Sequence, residues 1–167
     1  MPQSFTSWNY IASRAVCVNI HLKVVKAVDR LQHRVSMAVV SGECWELDLS
    51  PGWDAEADRH CVTLFHPDGV GALQLSAYQK RNRAVVEVQD LLDASDLTPE
   101  QYRRLSEQDW GEFHGYQFVY AEGDTFWRRW WLANGKTFLF VTYICQKTDM
   151  KVELEPVNSM LSSLRAK

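Results

Sequence analysis

Hydrophobic residues recur along most of the chain with the spacing of β-strands, and the clearest case lies between residues 125 and 145. Two apolar runs there flank Asn134 and Gly135, a dipeptide that favours a two-residue hairpin loop because both loop positions need a positive φ. A loop at these two residues predicts that Trp131 lies opposite Phe138. The remaining elements are arranged around this hairpin.

Strand alternation assigns the side chains of the hairpin to two faces, and both faces are apolar. One face carries Trp127, Arg129, Trp131, Phe138, Phe140 and Ile144. The other face carries Phe126, Arg128, Trp130, Leu132, Leu139, Val141 and Tyr143. Because neither face suits contact with water, we expect the hairpin to lie in the middle of a sheet that is covered on both sides.

The rest of the chain predicts further strands and up to three helices. Alternating positions predict strands at 44–49, 61–66, 72–78 and 113–120, besides the two strands of the hairpin. The helices are predicted from the spacing of Val85, Val88, Leu91 and Leu92, from a capping box at Thr98 with a helix to about Glu107, and from an apolar stripe that starts near Val152. The order βββ-α(α)-βββ-α predicts an α+β fold. We expect an antiparallel sheet of about six strands with helices on both faces.

The N-terminal part differs from the rest in charge and in periodicity. Residues 1–40 hold five basic residues and one acidic residue, which gives a net charge of +4. Because the whole chain has a net charge of −3, residues 41–167 have a net charge of −7. Residues 16–24 alternate as a strand would, whereas residues 24–35 fit a basic helix. We therefore separate an uncertain basic extension, residues 1–40, from a single α/β domain, residues 41–167. Two hypotheses remain for the extension: Met37 is the natural start, or a basic arm docks on the acidic body or on a partner.

The amino-acid composition and the charge of the chain argue against several classes of protein. The chain has 167 residues, of which 46% are hydrophobic and 23% are charged, as in ordinary globular domains. An acidic main body argues against a nucleic-acid partner, because such binding needs clustered lysine and arginine. No apolar stretch is long enough for a membrane span, and no signal peptide is recognisable, so we expect a cytoplasmic location. The four cysteines show no C-x-x-C spacing.

Candidate catalytic and metal-binding residues are scattered. The histidines and acids considered are Asp58, His60, His66, Glu112 and His114. On one strand His60 and His66 would lie about 20 Å apart, too far for a shared metal ion. Gly69-Val70-Gly71 lacks the third glycine and the following helix of a dinucleotide site, so a hairpin turn is the better interpretation. We expect no metal, no cofactor and no catalytic residue.

The two adjacent arginines of the hairpin are the most informative polar residues. A charge beside indole rings has to be paired or stacked, so one interpretation is cation–π stacking together with Glu122 or Asp124 as an acidic partner. The other is that Trp127, Arg129 and Trp131 border a groove that binds a partner, since tryptophan and arginine often anchor interfaces. The candidate partner-binding residues are Trp53, Trp127, Arg129 and Trp131.

The segment Trp45-x-Leu-x-Leu-x-Pro-Gly-Trp53, with Leu73-Gln74-Leu75-Ser76 and the ending Met160-Leu161-Ser162-Ser163-Leu164, resembles the PsbP-like superfamily. That group includes the photosystem II extrinsic protein, the Ran-binding nuclear import factor and the bacterial DcrB-type lipoproteins. The resemblance covers about residues 42–165. It implies an α/β/α sandwich and the binding of other proteins, and it extends to type VI secretion effector chaperones. The chain lacks the lipobox cysteine of the secreted lipoproteins.

Taken together, these features predict a small cytoplasmic protein of bacterial type that binds another protein and is not an enzyme. Its predicted partner is a protein rather than a nucleic acid or a membrane. One alternative is a type VI secretion effector chaperone or an immunity protein. A second is a small hydrolase or metal-dependent enzyme, which needs His60, His114 and an acidic residue to converge.

Overall fold

The computed structural model describes residues 15–17, 23–26, 38–59 and 61–167. These residues form twelve β-strands, three α-helices and a short 3-10 helix, Lys147–Asp149. All strand pairs are antiparallel, and they belong to two sheets. The prediction of a mixed α+β fold with an antiparallel sheet is confirmed.

The larger sheet has eight strands and runs in the order β5-β6-β7-β11-β10-β9-β8, while β1 pairs with β7 beyond the end of β6. Its strands are β1 (Ala15–Cys17), β5 (Asp54–Ala57), β6 (Val62–Phe65), β7 (Gly71–Lys80), β8 (Ser106–Trp110), β9 (Phe113–Glu122), β10 (Thr125–Asn134) and β11 (Thr137–Gln146). The predicted hairpin is β10–β11, and it lies in the middle of this sheet as expected.

The smaller sheet has four strands in the order β12-β4-β3-β2. Its strands are β2 (Lys23–Lys26), β3 (Ala38–Ser41), β4 (Trp45–Leu49) and β12 (Arg165–Ala166), and the helices of the chain are α1 (Val88–Ser95), α2 (Pro99–Tyr102) and α3 (Leu154–Ser162). On β4 the residues Trp45, Leu47 and Leu49 are buried and Glu46 and Asp48 are not, so the small sheet turns one face to the core.

The hairpin register differs from the prediction. Asn134 pairs with Thr137, so the loop is Gly135-Lys136 and Trp131 lies opposite Phe140 rather than Phe138. Of the two loop residues only Gly135 has a positive φ, +56°. A two-residue hairpin loop that needs a positive φ only at its first position favours glycine there, which places the loop at residues 135 and 136. Because the partner of each residue moves by two positions, every side chain stays on its predicted face.

The large sheet is covered on both faces, but not to the same extent. One face of the hairpin packs in a core with the small sheet and α3, through residues such as Trp130, Leu132 and Val141. On the other face, α1 contributes Leu91 and Ala94 to a smaller core around Trp131, Phe138 and Phe118. Helices α1 and α3 thus lie on opposite faces of the sheet.

The predicted number of strands and layers needs correction. The described residues hold twelve strands rather than about six, and the strand predicted at 44–49 belongs to a second sheet, so they do not form a simple three-layer sandwich. The helix predicted from Thr98 to about Glu107 is only Pro99–Tyr102, and β8 follows it. Strand β8 was missed because an exposed edge strand has no apolar alternation, and four of its five residues are exposed.

Two parts of the predicted N-terminal extension pair with the sheets. Ala15–Cys17 pairs with the end of β7, and Lys23–Lys26 pairs with β3. The other residues up to Met37 lie outside the described part of the chain, so both hypotheses about the extension stay predictions.

Candidate functional site

Arg128 lies in the core between β10 and α3. Its side chain is only 5% exposed. The guanidinium lies 4.6 Å from the centre of the Trp130 ring, and Nη2 donates to Oδ1 of Asn158 at 2.8 Å. With its amide oriented towards the arginine, the Gln117 oxygen accepts from Nε at 2.9 Å and from Nη2 at 3.0 Å. Burial lowers the pKa of Arg128 to about 10. These contacts bind the hairpin to β9 and α3, so Arg128 has a structural role.

Tyr143, which pairs with Arg128 across the hairpin, continues this polar group. Its hydroxyl donates to Oε2 of the buried Glu153 at 2.9 Å, and Oε1 of Glu153 accepts from the Val70 amide at 3.1 Å. Burial, with the neighbouring Cys145 and Glu153, raises the pKa of the Tyr143 hydroxyl. The network ties α3 and the β6–β7 turn to the hairpin, and its polar atoms are used within the fold.

Arg129 lies on the opposite face, against an aromatic stack formed by Phe118, Tyr120 and Trp127. The Tyr120 and Trp127 rings are parallel within 4° at 6.2 Å, and Phe118 lies 5.3 Å from Tyr120. Cζ of Arg129 is 5.1 Å from the centre of the Tyr120 ring and 5.2 Å from that of Trp127. Strand pairing sets this geometry, because Trp127 pairs with Tyr120 and Arg129 with Phe118. The expected cation–π stacking is confirmed for both arginines of the hairpin.

The expected acidic partner is not found. Within the described residues, neither Glu122 nor Asp124 forms an ion pair with Arg128 or Arg129, so that prediction is wrong. Each arginine relies instead on rings and neutral groups, and Nε of Arg129 is buried without a hydrogen-bond partner. Burial raises the pKa of Tyr120, opposed by the charge of Arg129 and reinforced by Glu122.

The aromatic stack is part of a wider area of mostly half-buried residues, which we call the open strip; Asp54, Glu56 and Gln74 in it are exposed. It consists of two rows that cross six strands from β5 to β9, and direct strand pairing places each row on one face of the sheet. The first row is Asp54, Phe65, Ala72, Ile144, Trp127 and Tyr120, and the second is Glu56, Thr63, Gln74, Thr142, Arg129 and Phe118. Of these residues only Phe118 is buried, because α1 packs over the turn end of the hairpin.

The structure brings together two of the four candidate partner-binding residues. Trp127 and Arg129 are neighbours on the open strip and are half-buried. Trp131 is 1% exposed and packs in the core beside α1, and Trp53 is 6% exposed in the core on the other face. Tyr120 was not identified from the sequence, although the alternation of apolar residues on β9 could have indicated it.

The scattered histidines and acids have separate contacts. His66 Nδ1 accepts from the Asp68 amide at 3.1 Å, a carboxylate oxygen of Asp58 accepts from the Cys61 amide at 2.9 Å, and Glu112 accepts from the Ala166 amide at 2.8 Å. Among the residues that the structure describes, no group of three or more histidines, cysteines or acids is arranged to hold a metal ion. His60 lies outside the described residues, so its convergence with His114 is untested.

His114 lies between two carboxylates at the β8 edge of the large sheet. Its Nδ1 is 2.7 Å from Asp109 and its Nε2 is 3.0 Å from Glu107. The hydrogen bond to Asp109, and to a smaller extent the hydrogen bond to Glu107, raises the pKa of His114. The side chain is 52% exposed, so this is a surface cluster.

Comparison with known proteins shows the fold alone. No family model matches the chain, and neither does any curated protein. A crystal structure from Bacteroides thetaiotaomicron VPI-5482 is similar, with a TM-score of 0.54 and 14% sequence identity over 74% of this chain. The similarity covers 45% of that protein, so this chain corresponds to less than half of its length. The resemblance to the PsbP-like superfamily stays a prediction.

None of the helices in the described part of the chain combines the length and the apolar character needed to cross a membrane.

Proposed function

We propose that this chain is a non-enzymatic domain that binds another protein through the open strip. The proposal includes the finer assignments made from the sequence, a PsbP-like domain of a bacterial cytoplasmic protein. What supports it most is the placement of Arg129 beside Trp127 and Tyr120. Tryptophan, tyrosine and arginine are the residues that most often dominate binding energy at protein interfaces.

The positions of these side chains are set by a rigid part of the fold. Trp127 and Arg129 belong to the central strand β10, which pairs with β9 and β11 over nearly its whole length. A binding surface on paired strands needs little ordering when a partner docks, so less of the interaction energy is lost as entropy. The half-buried rings still hold apolar area that a partner could remove from water.

The charge of Arg129 also favours binding over a purely structural role. Neither arginine has a carboxylate partner among the described residues, but Arg128 is buried and donates to Asn158, whereas Arg129 is half-buried. Stacking on Tyr120 and Trp127 holds the guanidinium plane in place. Because Nε is buried, a partner's acceptor would have to meet the terminal nitrogens of the side chain. A partner that supplies the acceptor would gain a charge-assisted hydrogen bond.

The proposal is tested by partner capture with two variants of the strip. Immobilised protein is exposed to a lysate of cells that express the gene natively, and the captured proteins are compared between wild type, Trp127→Ala and Arg129→Glu. We expect both variants to lose a protein that wild type retains, because each removes a central contact. Their circular dichroism spectra should match that of wild type.

A matched control is Val119→Ala, since Val119 is 39% exposed on the neighbouring strand and points to the opposite face. This variant should capture the same protein as wild type. Equal capture by all four proteins would contradict a role for the strip. Unfolding of Trp127→Ala and Arg129→Glu would show instead that these residues serve the fold.

A further inference from the structure

From the charges of the open strip we infer the chemistry of its partner, and this inference rests on the proposed function. We propose that the strip binds a peptide segment of another protein that has carboxylates at one end, basic side chains at the other and apolar side chains between them.

The guanidinium groups that face the strip lie at its β9–β10 end, where the exposed carboxylate of Glu122 also follows Tyr120 on β9. Arg129 lies on the second row there, and Cζ of Arg104 is 5.2 Å from the centre of the Phe118 ring. Neither arginine has a carboxylate partner among the described residues. Guanidinium groups fixed against rings present a planar fork of donors, the geometry that matches a carboxylate. This end therefore favours acidic side chains of a partner.

The opposite end of the strip is acidic. Asp54 and Glu56 both lie on β5, the edge strand, and their side chains are exposed on the same face as Arg129. No basic residue in the described part of the chain forms an ion pair with either of them. Between the ends lie the apolar side chains of Phe65, Ala72 and Ile144. The strip thus has a direction, and a bound segment with the complementary polarity has one preferred orientation.

The distance that the open strip spans across its six strands limits the length of the peptide segment that it can bind. Six strands at a spacing of about 4.8 Å span about 24 Å. An extended segment of roughly seven residues covers that distance, as does a helix of about sixteen residues. A single-stranded nucleic acid, which also stacks on aromatic rings, is disfavoured because its phosphates would meet Asp54 and Glu56.

The first experiment selects peptides from a random display library on the folded wild-type protein, with counter-selection on Trp127→Ala. We expect the selected peptides to be enriched in acidic residues at one end and in basic residues at the other. Enrichment of apolar peptides without charge would overturn this inference but leave the proposed function intact. Failure to select any peptide that distinguishes wild type from Trp127→Ala would overturn both.

The second experiment measures the affinity of a selected peptide for strip variants. Arg129→Gln should weaken binding about ten- to hundredfold, because a hydrogen bond between charged groups is lost. Lys136→Gln removes the same charge in the β10–β11 loop, at the far end of the hairpin, and should leave the affinity within about twofold. A charge-reversed peptide should prefer the double variant Arg129→Glu, Glu56→Lys. Equal effects of Arg129→Gln and Lys136→Gln, or tighter binding of an oligo-deoxythymidine than of the peptide, would refute the assignment.

Discussion

Arg128 and Arg129 are adjacent in the chain, but alternation along β10 sends them to opposite faces of the large sheet. Arg128 is buried, and neutral groups on β9 and α3 accept hydrogen bonds from its Nε and Nη2, while its Nη1 is buried without an acceptor. Arg129 is half-buried and lies against Tyr120 and Trp127. The difference shows that the role of an arginine in a sheet depends on which distant elements pack over its face.

The largest expected effect tests this difference directly. Arg128→Ala should lower the free energy of unfolding by about 3 kcal/mol, because a buried side chain is lost and Asn158 and Gln117 lose their donor. Arg129→Ala should cost about 1 kcal/mol or less, the usual worth of an exposed cation–π contact. Urea unfolding of the two variants measures both values. Equal losses would mean that the two faces do not differ in the way described.

A smaller effect is expected for hydroxyl groups on the two faces of β11. Tyr143→Phe should cost about 1–3 kcal/mol, because the buried Glu153 carboxylate loses a donor. Thr142→Val removes a hydroxyl from the adjacent residue on the open strip and should change stability by about 0.5 kcal/mol or less. The midpoints of urea denaturation compare the two variants. A greater loss for Thr142→Val would place a structural network on the open face.

The smallest effect concerns the β8 edge, where His114 bonds Asp109 and Glu107. Because its pKa is raised in the folded state, protonated His114 stabilises the fold fully below its unfolded pKa of about 6.5. The stabilisation is lost as the pH rises through the higher folded pKa.

For such an exposed cluster we expect at most about 1 kcal/mol. The difference in unfolding free energy between wild type and His114→Gln should therefore be larger near pH 5 than near pH 9. Urea titrations at both pH values measure it. A difference that grows with pH would reverse the sign and contradict this role for the histidine.

Local patterns along the chain predicted part of this architecture. The Asn134-Gly135 hairpin, its central place in the sheet and the face of every residue on it follow from alternation and turn chemistry. The loop position was predicted one residue too early, because Gly135 takes the first loop position instead of the second. Strand β8 was not predicted, since its exposed polar residues give no apolar signal.

The candidate site was predicted only in part, for a related reason. Trp53, Trp127 and Trp131 are alike as sequence features, being large apolar residues in or beside strand patterns. The structure separates them, because two are buried under elements far away in the chain and Trp127 is not. Likewise the neutral partners of Arg128, Gln117 and Asn158, come from another strand and from α3.

What the sequence by itself determined is the side of the sheet on which Trp127, Arg128 and Arg129 lie, because a period of two residues is a property of the extended backbone. Only the tertiary structure decided which side became core. Burial depends on packing by α1, α3 and the small sheet, and on where those elements stop. The open strip exists because α1 covers one end of its face and leaves the other end half-buried, which no local pattern in β10 encodes.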